Sequence, residues 1–355
     1  MRKHNFCAGP SILPQTVIDQ SAIAIKELDN IGLSLLEISH RSKEFTAIIE
    51  EAIALVKELL ALPEGYEVLF LQGGASTQFA LVPMNLLSVE GKAAIISTGV
   101  WTKKAISDGN KIGQFVEVAS SADKNYNYIP KNIEIDGQFD YLHIATNNTI
   151  FGTEYFNLPK SECPLVADMS SNIFSKPINV SDFGLIYAGA QKNLGAAGAT
   201  IVIVKKDLLG KTGRKLPGMF DYLTHIGKES VYNTPPVFAI YTCLLTLRWL
   251  KKQGGLAEME KRNIAKAELL YKEIDRNSLI YGYAAKEDRS RMNVTFRLHD
   301  ESKNDDLAAF FESKGIVNIK GHRLAGGFRA SIYNALPIES VEYLVEQLQA
   351  FERQL

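Results

Sequence analysis

The sequence contains few cysteines and no pattern that would link them. Cys7, Cys163 and Cys243 are the three in 355 residues, and no two of them form a Cys-x-x-Cys pair. Disulfide frameworks and zinc cages both need cysteines at short, regular spacings. We therefore expect free thiols and no metal site.

An excess of charge and a long apolar run are also missing. Lysine and arginine number 39 against 40 aspartates and glutamates, without a block of like charge, so the basic stripe of a nucleic-acid-binding protein is absent. No run approaches the roughly 18 apolar residues of a membrane span. Residues 1–14 lack the apolar region of a signal peptide. We expect a cytoplasmic protein that binds neither nucleic acid nor membranes.

Apolar residues are plentiful, at 46% of the chain, and the length favours two domains. Residues 43–61 have the apolar spacing of an amphipathic helix. Short apolar runs flanked by Gly, Asn and Asp alternate with helical stretches, which is typical of buried strands in an α/β sheet. These runs are 67–72, 93–97, 115–118, 141–146, 165–168, 184–188 and 200–204.

The composition becomes more charged and helical after Gly254-Gly255. We therefore predict an α/β fold with a large domain, residues 1–254, whose mostly parallel sheet is flanked by helices. A smaller C-terminal α/β domain spans residues 255–355, and an N-terminal arm, residues 1–14, packs on it.

A loop of small residues follows the first predicted strand. Gly73, Gly74, Ala75 and Ser76 lead into a helical stretch at 79–87. Small residues let a ligand approach the backbone, and a helix N-terminus offers unpaired N–H groups to an anion. The loop is not a P-loop, because no Gly-Lys-Ser/Thr follows. A tight turn with an ordinary N-cap is the alternative.

Two strand ends carry single charges among apolar or small neighbours. Asp168 ends the run 165–168, where a carboxylate needs a partner such as a cationic ring nitrogen; the alternative is a cap on the next turn. Lys192 lies among Ala and Gly, and a desolvated lysine can form a Schiff base; the alternative is a lysine that extends to solvent. The segment from Gly195 to Gly198 lacks the third glycine of a dinucleotide loop.

Trp101, in a glycine-flanked loop after a strand, is either a core residue or a ring that stacks on a planar ligand. With Asp168, Lys192 and the small-residue loop, it completes what pyridoxal 5′-phosphate (PLP) needs. That cofactor requires a Schiff-base lysine, an acid for its ring nitrogen, a stacking ring and an anion cradle. We therefore predict PLP as the cofactor.

Two His-Arg dipeptides stand in predicted loops. His40-Arg41 lies between helical stretches, and His322-Arg323 precedes a strand that carries Arg329. Such pairs suit a phosphate dianion, and Arg329 suits a carboxylate through bidentate geometry. Exposed loop charge is the alternative for either dipeptide.

These residues, taken together, resemble the phosphoserine aminotransferase family, class-V members of the fold-type I PLP enzymes. The likeness runs nearly end to end. Its distinctive stretches include Ser39-His40-Arg41-Ser42, Ala167-Asp168-Met169-Ser170-Ser171, Gly189-Ala190-Gln191-Lys192-Asn193, Tyr232-Asn233-Thr234-Pro235-Pro236 and Gly321-His322-Arg323. The resemblance implies fold type I, a homodimer with shared active sites, and reversible transfer of an amino group from glutamate to 3-phosphohydroxypyruvate, which gives O-phosphoserine and 2-oxoglutarate in serine biosynthesis.

The resemblance also implies a role for each matching residue. Lys192 holds the cofactor and moves the Cα proton, Asp168 pairs with the ring nitrogen, and Arg329 binds the substrate carboxylate. The other residues implied to contact the cofactor are Ala75, Ser76, Trp101, Thr149 and Gln191, with Asn233 and Thr234 contributed across the dimer. Those implied to surround the distal phosphate are His40, Arg41, His322 and Arg323.

One departure from the family pattern concerns Ser76, where many members have Arg. The resemblance does not say what replaces that Arg, nor whether phosphohydroxythreonine of vitamin B6 synthesis is also a substrate. The alternatives are another fold-type I PLP aminotransferase or a lyase, and, in a different class, an NAD-dependent oxidoreductase. A non-catalytic PLP-binding regulator would need a DNA-binding module, for which no part of the chain is left over.

Overall fold

The computed structural model describes residues 3–354, so the predicted ends at residues 1–2 and 355 lie outside the described residues. The helices are α1 (Gln15–Lys26), α2 (Lys43–Leu59), α3 (Gly74–Leu86), α4 (Val100–Gly109), α5 (Tyr222–Ile226), α6 (Val237–Lys252), α7 (Gly255–Arg276), α8 (Asn304–Ser313) and α9 (Ile338–Glu352). The strands are β1 (His4–Asn5), β2 (Tyr66–Leu71), β3 (Lys92–Ser97), β4 (Gln114–Ser120), β5 (Tyr141–Ala145), β6 (Asn147–Asn148), β7 (Thr153–Glu154), β8 (Leu165–Asp168), β9 (Leu185–Gly189), β10 (Thr200–Lys205), β11 (Ile280–Gly282), β12 (Asn293–Leu298), β13 (Ile316–Val317) and β14 (Phe328–Ser331).

The central sheet has seven strands in the order β2-β10-β9-β8-β5-β3-β4. Neighbouring strands are parallel except at β10, which runs antiparallel to both β2 and β9. Every residue of β5, β8 and β9 is buried, because helices cover both faces of the sheet. The prediction of a mostly parallel sheet flanked by helices is confirmed.

Different helices cover the two faces. Residues of α2 and α6 pack with Ile144 and Ile186 on one face, whereas residues of α3 and α4 pack with Val166 and Tyr187 on the other. Helix α6 is not anticipated by the sequence, because its residues 239–247 are all buried and the chain there has no polar side to produce an amphipathic period. Among the described residues, no helix is both long and apolar enough to cross a membrane.

Helix α3 begins at Gly74, five residues before the predicted start at Phe79. Gly73 adopts φ +90°, and a Cβ there would lie 1.8 Å from Thr77 Oγ1, so only glycine turns the chain this sharply out of β2. As a result, Ala75 and Ser76 lie in the first helical turn. Helix α2 ends at Leu59, before the predicted Ala61, which has φ +47°.

The C-terminal part has its own antiparallel sheet, β11-β12-β14. Its core includes Leu270 of α7, Phe296 of β12 and Phe328 of β14. Strand β1 pairs in parallel with β13, and Phe6 is fully buried in this same core. Residues 4–6 therefore pack on the C-terminal part of the chain, while the division at residue 254 stays a prediction.

A buried polar network joins the two parts. Asn293, at the start of β12, accepts a hydrogen bond from Asn147 Nδ2 at 2.8 Å and donates to Ser331 Oγ at 2.9 Å and to Tyr333 Oη at 3.1 Å. The Tyr333 hydroxyl donates in turn to the Ala8 carbonyl at 2.7 Å. One amide thus links strand β6, strand β14 and, through Tyr333, the N-terminal arm.

We expect Asn293→Ala to lower the free energy of unfolding by about 2–4 kcal/mol, because it leaves several buried polar groups without partners. Chemical denaturation followed by circular dichroism measures the change. Asn157→Ala, at an exposed position, is the control and should change stability by less than about 0.5 kcal/mol. Equal effects of the two substitutions would contradict the importance of the network.

Candidate active site

The candidate residues meet at the carboxyl edge of the parallel strands. Trp101 follows β3, Thr149 follows β5 and β6, Asp168 ends β8, and Lys192 follows β9. Because parallel strands present their carboxyl ends at one edge of a sheet, side chains from distant parts of the sequence converge there.

Lys192 is at the centre of this group. Its Nζ donates a hydrogen bond to Thr149 Oγ1 at 2.7 Å and lies 5.9 Å from the centre of the Trp101 ring. Burial lowers the pKa of Lys192 to about 8; nearby Asp168 opposes this shift and Arg329 adds to it. The amine is therefore deprotonated far more easily than that of an ordinary lysine, as a Schiff-base lysine requires.

The N-terminal arm holds the backbone that carries this lysine. Ser11 N donates to the Gln191 carbonyl at 2.9 Å, and Ser11 Oγ donates to the Lys192 carbonyl. A Cβ on Gly9 would lie 3.1 Å from Lys192 Cγ, so the arm passes directly over the stem of the side chain. Residues 9–11 are thus a wall of the site.

Asp168 is buried, with 7% of its surface exposed. Its Oδ1 accepts a hydrogen bond from Ser170 N at 2.9 Å, but within residues 3–354 it forms no salt bridge. A buried carboxylate is costly without a cationic partner. A protonated ring nitrogen would supply one, so the position fits the ring of PLP.

Arg329 is a partly buried cation that has no counter-ion within residues 3–354. Its Nη1 donates to the Thr149 carbonyl at 3.3 Å, and its Nε is buried and has no hydrogen-bond partner in the described chain. Burial lowers the pKa of Arg329, and the nearby ionisable Tyr333 and Cys7 act in the opposite direction. A guanidinium in this state fits an incoming carboxylate.

His322 lies beside Arg329 and Arg323. Burial lowers the pKa of His322, and Arg329 and then Arg323 lower it further. The loop of residues 321–327 therefore places two basic groups, His322 and Arg323, near Arg329. This cluster suits an anion larger than one carboxylate.

The first turn of α3 has no acidic residue, and its free N–H groups provide an anion cradle. Lys104 of α4 extends across to this turn, with its Nζ 3.5 Å from Ser76 Oγ. A cation therefore reaches the position at which the family resemblance expects Arg. The sequence contains one indication that Lys104 faces the site. Lys104 follows Trp101 by three residues, so the two side chains lie on the same face of α4.

Lys192, Asp168, Trp101, Thr149 and Arg329 are brought together by the structure. The remaining candidates are distributed around them. Ala75 and Ser76 are in the first turn of α3, and Gln191 precedes the lysine.

Two predicted pairs have no bond to the Lys192 group. No hydrogen bond or salt bridge in the described chain joins His40 or Arg41 to it. The backbone N–H of Arg41 instead donates to Ser39 Oγ at 3.1 Å. Asn233 and Thr234 lie beside the entry to α3, where Gln72 Nε2 donates to the Thr234 carbonyl at 2.8 Å. None of these four residues forms a hydrogen bond or salt bridge with the Lys192 group in the described chain.

Comparisons with known proteins agree with this geometry. Residues 4–344 match the aminotransferase class-V family. The chain is 58% identical to a phosphoserine aminotransferase of Azobacteroides pseudotrichonymphae over 99% of its own length and 98% of the relative's.

Solved structures agree as well. A phosphoserine aminotransferase studied for radiation damage of its Schiff base superposes with a TM-score of 0.96 at 43% identity, over 100% of both chains. The PLP-bound phosphoserine aminotransferase of Trichomonas vaginalis superposes with a TM-score of 0.93 at 34% identity, over 98% of this chain and 100% of the other. The predicted fold type I is thereby confirmed.

We expect the cofactor-free protein to show a Lys192 that titrates near pH 8. The rate of modification by a limiting amine-specific reagent, followed by peptide mass spectrometry across pH, measures it. Arg329→Ala removes a neighbouring cation and should raise the midpoint, whereas Asp168→Asn removes an anion and should lower it. Lys43, with 92% of its side chain exposed, is the control lysine, and neither substitution should change its rate of modification. Identical profiles for both lysines would contradict the assignment.

Proposed function

The chain belongs to the class-V aminotransferase family, and from this premise we propose that it is a phosphoserine aminotransferase. It transfers an amino group between glutamate and 3-phosphohydroxypyruvate. The observation that carries the proposal is a pair of charges without an ion-pair partner in the described chain, the buried Asp168 and the partly buried Arg329, near a lysine with a lowered pKa. The family match argues against the alternative of an NAD-dependent oxidoreductase. The basic groups around Arg329 favour this aminotransferase over other PLP enzymes.

The cofactor is PLP, which supplies an electron sink when it is bound. Lys192 would hold it covalently, Asp168 would face its ring nitrogen, and Trp101 would lie against its ring. The first turn of α3, with Ala75 and Ser76, would hold its phosphate, and Gln191 precedes the lysine on the same loop.

The chemical work of this chain is the movement of one proton. An amine with a pKa of about 8 is unprotonated in a useful fraction near neutral pH, so Lys192 can take a proton from the substrate Cα and return it. Thr149 orients the amine through Oγ1, and its carbonyl orients Arg329. Arg329 binds the substrate carboxylate, which fixes the Cα within reach of Lys192.

The distal group of the substrate alternates between a phosphate and a carboxylate during one cycle. His322 and Arg323 supply basic groups for both, and the partner subunit supplies His40 and Arg41. Lys104 adds a cation at Ser76, where many family members have Arg. Several separate basic groups tolerate two anions of different shape better than a single rigid clamp does.

We propose a homodimer with shared active sites. It is supported by His40, Arg41, Asn233 and Thr234, which do not bond to the Lys192 group of their own chain. Large apolar side chains near these residues are exposed: Leu33 48%, Leu36 63%, Phe220 42% and Tyr232 42%. A second copy that covers them would bury apolar surface. The cytoplasmic location and the division into domains 1–254 and 255–355 stay predictions.

Reduction with borohydride tests the cofactor assignment. The purified protein with PLP should show a visible absorption band that borohydride abolishes, and peptide mapping should find the reduced label on Lys192. Lys266→Met is not a suitable control, because the Lys266 amine donates hydrogen bonds to three backbone carbonyls and its loss would disturb the fold. Lys43→Met, at an exposed position, should keep both the band and the label. A label on another lysine would overturn the assignment.

Removal of one arginine tests the phosphate specificity. Arg323→Ala should raise KM for 3-phosphohydroxypyruvate about 10- to 100-fold, the usual loss for a charge-assisted hydrogen bond, with a smaller effect on kcat. Steady-state kinetics with each substrate varied measures the effect. Arg353→Ala, exposed at the end of α9, is the matched control. An unchanged KM in Arg323→Ala would remove the distal-phosphate role of the His322–Arg323 loop.

A further inference from the structure

Three side chains from neighbouring strands lie on one face of the central sheet. Asp168 of β8 is directly opposite Tyr187 of β9, and His143 of β5 is opposite Val166, two residues before Asp168. Residues in register, or two apart on one strand, point to the same face. His143, Tyr187 and Asp168 therefore project to the same side, beneath α3 and α4.

The three side chains are close neighbours. The Tyr187 hydroxyl lies 2.8 Å from His143 Nε2, and Asp168, its cross-strand partner, is near enough for its charge to raise the pKa of that phenol. Tyr187 is fully buried, and His143 is 4% exposed. The hydroxyl is thus the middle member of a buried chain that ends at the carboxylate.

The position of the imidazole proton follows from His143 Nδ1, which is buried and has no partner among the described residues. Burial lowers the pKa of His143 to about 4, so the ring is neutral near pH 7 and carries one N–H. A proton on Nδ1 would leave a buried donor unpaired, which is rare and costly. The N–H is therefore on Nε2 and donates to the Tyr187 oxygen.

Because the Tyr187 oxygen accepts from His143, its own proton is free to donate to Asp168. Burial, and next the charge of Asp168, raise the pKa of Tyr187, so the phenol keeps that proton. The other groups that face this chain are the phenols of Tyr141 and Tyr222 and, beyond Asp168, the amine of Lys192.

We propose that Tyr187 and His143 are positioning residues, which hold the Asp168 carboxylate in its orientation toward the ring nitrogen of the cofactor. The proposal rests on the proposed function, because it assigns Asp168 to that nitrogen. A hydrogen bond to the charged form of a carboxylate stabilises that form, and successive donors strengthen one another. Asp168 is then held at a fixed position opposite the cofactor.

Tyr187→Phe tests the proposal, with Tyr141→Phe as the matched control. Tyr141 is fully buried in the same apolar cluster, but its hydroxyl has no partner within the described residues. The readouts are the dissociation constant of PLP, from quenching of tryptophan fluorescence in the cofactor-free protein, and the pH dependence of the visible absorption of the bound cofactor.

In Tyr187→Phe we expect PLP to dissociate at least about tenfold more readily, in line with the loss of a hydrogen bond to a charged group. The acid-side midpoint of the cofactor absorption should also move, by about one pH unit, because the carboxylate that faces the ring nitrogen is held less firmly. Tyr141→Phe should stay within about twofold of the parent. Equal behaviour of the two variants would overturn the proposal.

His143→Leu tests the direction of the proton chain. If His143 donates to Tyr187, its loss should weaken PLP binding, but less than Tyr187→Phe does, since the phenol still bonds to Asp168. If Tyr187 instead donated to His143, the substitution would release the phenol to Asp168, and tighter binding would overturn the inferred direction. A borohydride label on Lys192 in each variant keeps these outcomes separate from a failure of the proposed function.

Discussion

The site depends on a buried carboxylate and a partly buried guanidinium that lie near one amine but do not pair with each other. Asp168 and Arg329 both influence the pKa of Lys192, yet no salt bridge joins them in the described chain. A direct ion pair would be the easiest way to compensate two buried charges. The fold prevents it by placing the two residues on different sheets, so that ligand groups can act as their partners.

Keeping these charges apart needs a rigid connection between the two sheets. Thr149 provides the shorter of two such connections, because its hydroxyl accepts from Lys192 and its carbonyl accepts from Arg329. Asn334 provides another: its N–H donates to Asn193 Oδ1 at 3.0 Å, next to the lysine, and its side chain accepts from Asn263 of α7 at 2.8 Å. The distance between the reacting amine and the carboxylate-binding arginine is thus set by buried amides rather than by flexible charged side chains.

Much of the sheet and the central residues could be predicted from the sequence. Asp168, Lys192 and Trp101 stand out because each is a polar or aromatic side chain at the end of an apolar run. Lys104 does not stand out, because it looks like any helix-surface lysine until α4 is placed beside α3. His143 and Tyr187 are hidden for the opposite reason: within buried strands they read as core. The antiparallel direction of β10 also leaves no local trace, since both orientations produce the same apolar run.

The N-terminal arm has a consequence for the order in which the molecule is made. Residues 4–11 are synthesised long before several of their partners, because β1 pairs with β13, Phe6 enters the C-terminal core, and the Ala8 carbonyl accepts from Tyr333. The large sheet can form while synthesis continues, whereas the arm has all of its contacts only once Tyr333 has been made. The reactive lysine is therefore fully covered only after the C-terminal part of the chain is in place.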